Sequence, residues 1–219
     1  MSEKNTPPVV LFCNNQVGAW VLQWMIEDGF SLAGIVLHKE DDAYYYSQIR
    51  TLANAAGVPT LEYSGNAEQL THFLTPLETF AGLSAYFGYI LKPEHIAQFS
   101  LGVANIHGGF LPFCKGKNPN AWAIMENVKA GVTLHEIDDH IDEGKLIAQT
   151  EVCVLPDMTA KTLYTHLEKA SFELVKQAFP LYAAGEAALT SFESESGSYH
   201  AGSELAKLKA IDLDAPTTA

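Results

Sequence analysis

Basic residues are scarce in this 219-residue chain: 13 Lys and Arg stand against 26 Asp and Glu, a net charge of −13 with histidine neutral. Nucleic-acid binding rests largely on Lys and Arg neutralising phosphates, so no nucleic-acid partner is expected. The local exception is Lys115 and Lys117, two residues apart in a Gly- and Pro-marked loop. Cysteine is sparse as well. Cys13, Cys114 and Cys153 are far apart and odd in number, which argues against a disulfide framework and for reduced thiols. Cys13 and Cys153 sit in apolar runs and read as small buried hydrophobes, whereas Cys114 lies in a loop and reads as nearer a ligand. No apolar run reaches the ~18 residues of a membrane span. Met1 to Pro8 lacks the apolar stretch of a secretory signal, so a cytoplasmic protein is expected. The chain opens on a strand–turn–helix pattern but has no G-x-G-x-x-G, the dinucleotide fingerprint.

What is present suits one well-cored domain, with 47% of residues apolar. Val9 to Cys13, Leu32 to Leu37, Thr60 to Tyr63, Thr79 to Tyr86 and Val103 to Ile106 read as strands. Between them, Asn14 to Gly18 reads as a polar turn before a helix ending at Gly29, and a second helix opens at Tyr44 to Tyr46. A third helix spans Asn66 to Leu74, and Pro93 starts a short fourth. The three tyrosines could stack on a ring or could edge an amphipathic helix. This alternation predicts an α/β fold, a mostly parallel twisted sheet flanked by helices. Ligands in such sheets bind beyond the carboxyl ends of the strands.

Further on, a helix over Ala121 to Asn127 precedes a strand over Gly131 to Glu136 and an acidic turn over Asp138 to Gly144. A strand over Lys145 to Val154 follows, then a long helix capped at Asp157 or Thr159 and kinked at Pro180. Leu189 to Phe192 reads as a last short strand. The expected division is a catalytic domain over 1–192 and an extended tail over 193–219, disordered at Asp214 to Ala219.

Three pieces carry chemistry. The first, Asn105-Ile106-His107, sets an amide and an imidazole on one strand face, since residues i and i+2 share a face. The amide could donate a hydrogen bond and the imidazole could move a proton, although a lone strand-end histidine is more often structural than catalytic. The second is the loop Leu111 to Asn120. The third, Gly131 to Gly144, contains His135, Asp138, Asp139, His140 and Asp142. A carboxylate from this turn beside His107 would fix its tautomer and raise its pKa; alternatively the turn is a solvated, Asx-capped loop. His135 and His140 flank carboxylates, but no third His or Cys accompanies them, and no metal is expected.

In this order and spacing, N-x-H, then L-P with a Gly/Pro loop, then G-V-T-x-H followed by D-x-G, resemble the 10-formyltetrahydrofolate-dependent formyltransferase family over roughly Val9 to Val154. The resemblance implies a Rossmann-like core with Asn105, His107 and Asp142 as catalytic residues. It implies a folate pocket lined by Phe87, Gly88, Tyr89, Ile90 and Leu91 together with Asp138 and Asp139. The co-substrate implied is 10-formyltetrahydrofolate.

Among subfamilies, Phe87 to Glu94, Gly116 to Trp122 and Gly197 to His200 are most similar to nucleotide-sugar N-formyltransferases. That implies an acceptor such as a dTDP-amino-dideoxyhexose, with Lys115, Lys117, Asn118 and Trp122 on the acceptor side. Lys115 stands where many members have Arg, so a bidentate phosphate contact becomes a point charge. Glycinamide ribonucleotide transformylases are the alternative. They carry a Gly-Ser-Asn loop after the first strand and a Ser two residues after the His, where this chain has Asn14 to Gly18 and Gly109. A non-catalytic folate- or nucleotide-binding module would have no need of all three of Asn105, His107 and Asp142. The partners implied are small molecules, with no membrane, and the resemblance is compatible with a homodimer.

Overall fold

The computed structural model describes residues 7–42, 44–192, 197–204 and 207–208. The expected disorder over Asp214 to Ala219 lies outside them. β1 (Val9–Cys13), β2 (Leu32–His38), β3 (Thr60–Tyr63), β4 (Ala81–Ala85) and β5 (Gly102–His107) are parallel and stand in the spatial order β3-β2-β1-β4-β5. The order turns back between β1 and β4, the place where parallel α/β sheets open a crevice at their carboxyl ends. A two-residue strand β6 (Lys115–Gly116) lies outside this sheet. Two antiparallel strands, β7 (Gly131–Glu136) and β8 (Leu146–Glu151), extend the sheet beyond β5 to seven strands.

Strand alternation divides the core. Val9, Leu11 and Cys13 of β1 face one apolar cluster, and Val10 and Phe12 face another on the opposite side. The first cluster is covered by α1 (Asn15–Glu27), α2 (Tyr46–Ala56), α5 (Pro119–Glu126) and α6 (Ala160–Ala183). The second lies under α3 (Ala67–Leu74) and α4 (Pro93–Ile96), where Phe12, Phe87 and Phe99 pack at centroid distances of 5.5 and 6.0 Å. α6 begins at Thr159, whose hydroxyl accepts from the Thr162 N–H while the Thr162 hydroxyl accepts from the Thr159 N–H. It runs without interruption through Pro180.

Four expectations need correction. Asn14 to Gly18 is not a turn: α1 starts at Asn15, because Val17, Gly18 and Ala19 are buried against the sheet, and burial outweighs the turn preference of Asn and Gly. Leu189 to Phe192 forms no strand; Thr190 makes a single antiparallel bridge to Leu146. β8 ends at Glu151, so Cys153 lies past the strand and is exposed rather than buried. The segment after Gly197 is not simply extended: β9 (Tyr199–His200) pairs in parallel with β6. Among the described residues, no helix is long and apolar enough to cross a membrane.

Candidate active site

Ala104 and Ile106 of β5 point into the first core cluster, so Asn105 and His107 point to the other face. β7 meets them from the side. In the β5–β7 register Asn105 lies opposite His135 and His107 opposite Thr133. Val132 and Leu134 of β7 are core, which turns Thr133 and His135 to the face carrying Asn105 and His107. The turn after β7 then returns Asp142 to the same place, at a backbone φ of 55° that few residues other than glycine adopt. Tyr86, Cys114 and Asn118, around the same cleft, also have φ near that value. Such strain collects where the chain must aim a group.

The resulting cluster is tight. His107 Nδ1 lies 3.5 Å from Asp142 Oδ2, and His107 Nε2 lies 3.1 Å from the Cys114 carbonyl oxygen. Asp142 Oδ2 accepts the Gly116 N–H at 2.8 Å, and Oδ1 is 3.5 Å from His135 Nε2. His135 Nδ1 lies 2.8 Å from the Glu136 carbonyl oxygen, and its Nε2 lies 3.1 Å from Asn105 Nδ2. Among the described residues, the Asn105 amide nitrogen has His135 as its one side-chain partner and keeps an N–H free. Thr133 fastens the following loop. Its hydroxyl donates to the Gly109 carbonyl at 2.8 Å and accepts from the Leu111 N–H at 3.1 Å and from Gln149 Nε2 at 2.8 Å.

Burial pushes the pKa of His107 down; Asp142 and the Cys114 carbonyl pull it upward without offsetting that burial, and His135 and Lys117 lower it further. This reverses the sequence expectation, which weighed the carboxylate but not the desolvation of a side chain only 7% exposed. Burial also acts against the charge of Asp142, but His107, His135 and the Gly116 N–H outweigh it and hold the carboxyl well below the usual carboxylate range. Asp142 is therefore the standing anion of the pair. Only the imidazolium presents a proton to both of its acceptors.

The cleft has a volume of about 930 Å³ and contains Asn105, His107, His135 and Asp142 at its floor. One wall is Phe87 to Pro93. His95, fully buried, pins this wall by pointing Nε2 at the Ala67 carbonyl (3.1 Å) and accepting the Lys92 N–H on Nδ1 (3.3 Å). Phe87 is mostly packed into the core among His38, Tyr63 and Tyr89, while Gly88, Tyr89, Ile90 and Leu91 border the cleft. Asp138, Asp139 and His140 lie exposed at the rim, with His140 Nδ1 3.1 Å from Asp139. His38, Asn14 and Tyr44 close the side under β1; Asn14 Oδ1 accepts the Tyr44 N–H at 3.0 Å.

Of the acceptor-side residues named from sequence, Lys117 and Asn118 border the cleft. Among the described residues Lys117 meets no carboxylate at ion-pair distance, and its nearest polar partner is the Gly88 carbonyl at 3.4 Å. Lys115 turns away to Glu143 at 2.6 Å. Trp122 is 5% exposed and stacks on His200 with centroids 3.8 Å apart. The Cys114 thiol is buried and pushed up to about 12, so that residue serves the cluster through its carbonyl. Sequence reasoning gave no role to Thr133, Gln149, His135 as a bridge, or His200. Only the strand register of Thr133 and His135 opposite N-x-H could have pointed to the first and third.

A formyl transferase family model matches residues 61–179, more than half of the chain. The chain belongs to the formyl transferase family. It is therefore an enzyme of that class, and the matched residues include Asn105, His107 and Asp142. It is similar to the bifunctional polymyxin resistance protein ArnA of Wigglesworthia glossinidia brevipalpis, 27% identical over 179 residues. That match covers 79% of this chain but only 27% of the relative, so the chain spans about a quarter of that protein's length. Two solved structures share the fold. One is the formyltransferase PseJ from Anoxybacillus kamchatkensis, in complex with UDP-4,6-dideoxy-4-formamido-L-AltNAc and tetrahydrofolate; its TM-score is 0.67 at 24% identity, over 84% of this chain and 95% of that one. The other is phosphoribosylglycinamide formyltransferase from Anaplasma phagocytophilum, with a TM-score of 0.72 at 21% identity, over 91% and 100% of the respective chains.

Proposed function

We propose that this enzyme transfers the formyl group of 10-formyltetrahydrofolate to the amine of a nucleotide-linked amino sugar, such as a dTDP-amino-dideoxyhexose. The observation that carries the reading is the convergence of Asn105, His107 and Asp142 at the floor of one cleft of about 930 Å³. The folate would lie along Gly88 to Leu91, and the acceptor would enter past Lys117 and Asn118, with Lys117 rather than the ion-paired Lys115 as the charge for its diphosphate. A UDP-formamido sugar and tetrahydrofolate in the PseJ complex support this choice of substrates.

In the proposed step the amine lone pair attacks the formyl carbon and the carbonyl electrons move onto oxygen. The free N–H of Asn105 donates to that oxyanion. Neutral His107 accepts the proton the amine must lose, and the imidazolium is held between Asp142 and the Cys114 carbonyl. Collapse of the oxyanion breaks the bond to N10, which leaves with the proton from His107. The products are a formamide and tetrahydrofolate. Both substrates are water-soluble, which suits a cytoplasmic reaction.

Glycinamide ribonucleotide remains the rival acceptor because the chain covers the whole of a phosphoribosylglycinamide formyltransferase structure. A panel of amine acceptors with 10-formyltetrahydrofolate separates the two: transfer to a nucleotide-linked amino sugar is expected, and transfer confined to glycinamide ribonucleotide overturns the acceptor. In the same assay His107→Ala should lose ~10²-fold or more of its turnover while still binding folate. Turnover near wild type would refute the role given to His107.

A further inference from the structure

The two backbone groups that hold the proton-transferring pair, the Cys114 carbonyl and the Gly116 N–H, belong to a short loop with little support of its own. β6 is only two residues long and pairs with nothing in the main sheet. What it does pair with comes from the far end of the chain. The Lys115 N–H donates to the Ser198 carbonyl at 2.9 Å and the Lys117 N–H to the His200 carbonyl at 3.0 Å, one on each side of Gly116. The Cys114 N–H donates to the Ser198 hydroxyl at 3.0 Å, and that hydroxyl donates to Glu126 Oε2 at 2.7 Å. Loop residues 114, 115 and 117 are thus each tied to the segment Ser198–His200.

That segment is itself clamped. The His200 ring lies flat on Trp122, with centroids 3.8 Å apart and planes 6° apart. Its Nε2 is 2.8 Å from Glu126 Oε1, an ion-pair contact without in-line hydrogen-bond geometry, and its Nδ1 is 3.3 Å from Glu204 Oε2. Glu126 thereby serves both Ser198 and His200 and ties the segment to the last turn of α5. The approach of the two strands is close. A Cβ on Gly116 would come within 2.3 Å of the His200 carbonyl oxygen, and φ there is +91°. Such closeness fixes the loop laterally as well as along the hydrogen bonds.

We propose that Ser198 and His200 are positioning residues of the active site. Through Cys114 and Gly116 they hold the carbonyl and the N–H that orient His107 and Asp142, so the C-terminal segment is part of the catalytic unit rather than a tail beside it. The reading of the effect on turnover rests on the formyl transfer proposed above; the geometry of the brace does not.

Two measurements test it. The first compares Ser198→Ala with Ser198→Thr, which keeps the hydroxyl, and with Glu126→Gln, a partly exposed change that removes the shared charge. With the loop loosened, kcat should fall ~10-fold or more in Ser198→Ala, since misplacing a catalytic group by ~1 Å costs up to ~10²-fold. Both KM values should stay within about twofold, Ser198→Thr should recover most of the loss, and Glu126→Gln should lie between. The second follows the imidazole resonances of His107 by NMR, a readout that needs no substrate. They should move in Ser198→Ala and Glu126→Gln while those of the exposed His166 stay put. A raised acceptor KM at unchanged kcat, or His107 resonances unmoved in both variants, would overturn the proposal. Were wild type to transfer no formyl group at all, the reaction assigned above would fail and the His107 resonances would still decide the brace.

Discussion

Gly109 offers the sharpest test of the geometry around His107. A Cβ built there would lie 2.7 Å from His107 Nε2, 2.9 Å from its Cδ2 and 3.1 Å from Pro119 Cβ. Ordinary contact begins at 3.4 Å, so Gly109→Ala leaves the ring about 0.7 Å too close. The backbone cannot yield easily, because the Gly109 carbonyl accepts from the buried Thr133 hydroxyl at 2.8 Å. The imidazole must therefore swing, drawing away from Asp142 or from the Cys114 carbonyl. A displacement approaching 1 Å at a reacting group costs on the order of 10- to 100-fold in rate, or about 1.4 to 2.8 kcal/mol. The expectation is a fall of that size in kcat, with KM for both substrates changed by less than about twofold. A melting curve accompanies the kinetics; no left-handed φ is recorded at Gly109, so the backbone itself is not penalised. Wild-type kcat in a folded Gly109→Ala protein would refute the placement of His107 and the proton transfer assigned to it.

Stability should fall with acid in a way these two side chains dictate. His107 and Asp142 both have folded values below their ordinary ones of 6.5 and 3.8, so the unfolded chain binds more protons and stability rises with pH. The His107 contribution is complete above 6.5 and is lost as pH falls through its lower folded value; that of Asp142 is lost below 3.8. Below pH 3.8 urea titrations should show a shallower acid loss for Asp142→Asn than for wild type, and parallel curves there would contradict the assignment. On the acceptor side, Lys117→Ala should raise acceptor KM roughly tenfold, the scale of one charged hydrogen bond. Lys115→Ala should have less than half the effect because that ammonium is already paired with Glu143; equal effects would show that both lysines reach the acceptor.

Much of this arrangement could be read from the chain. Val9 to Cys13 and Leu32 to Leu37 are apolar runs that carry their own strand signal, Val132 and Leu134 alternate with Thr133 and His135 in Gly131 to Glu136, and the i, i+2 spacing of Asn105 and His107 carries their common face. Asp142 could be joined to them only through the family's motif order, because nothing local says that an acidic turn folds back 26 residues to reach Gly116. The pairing of β6 with β9 was not legible at all. Two-residue strands have no periodicity, and their partners stand 84 residues apart in sequence. The direction of the His107 shift was misjudged for a related reason, since desolvation depends on what packs around a ring, which its sequence neighbours do not report.

The three cysteines acquire a practical meaning from where the strands end. Cys13 is wholly buried in β1 and Cys114 beneath the brace, both thiols pushed up to about 12 and so almost without thiolate at neutral pH. Cys153, one residue pair past β8, is exposed. This stretch of chain thus offers a maleimide probe one accessible thiol, and a fluorophore or spin label can be installed at that position without any engineered cysteine.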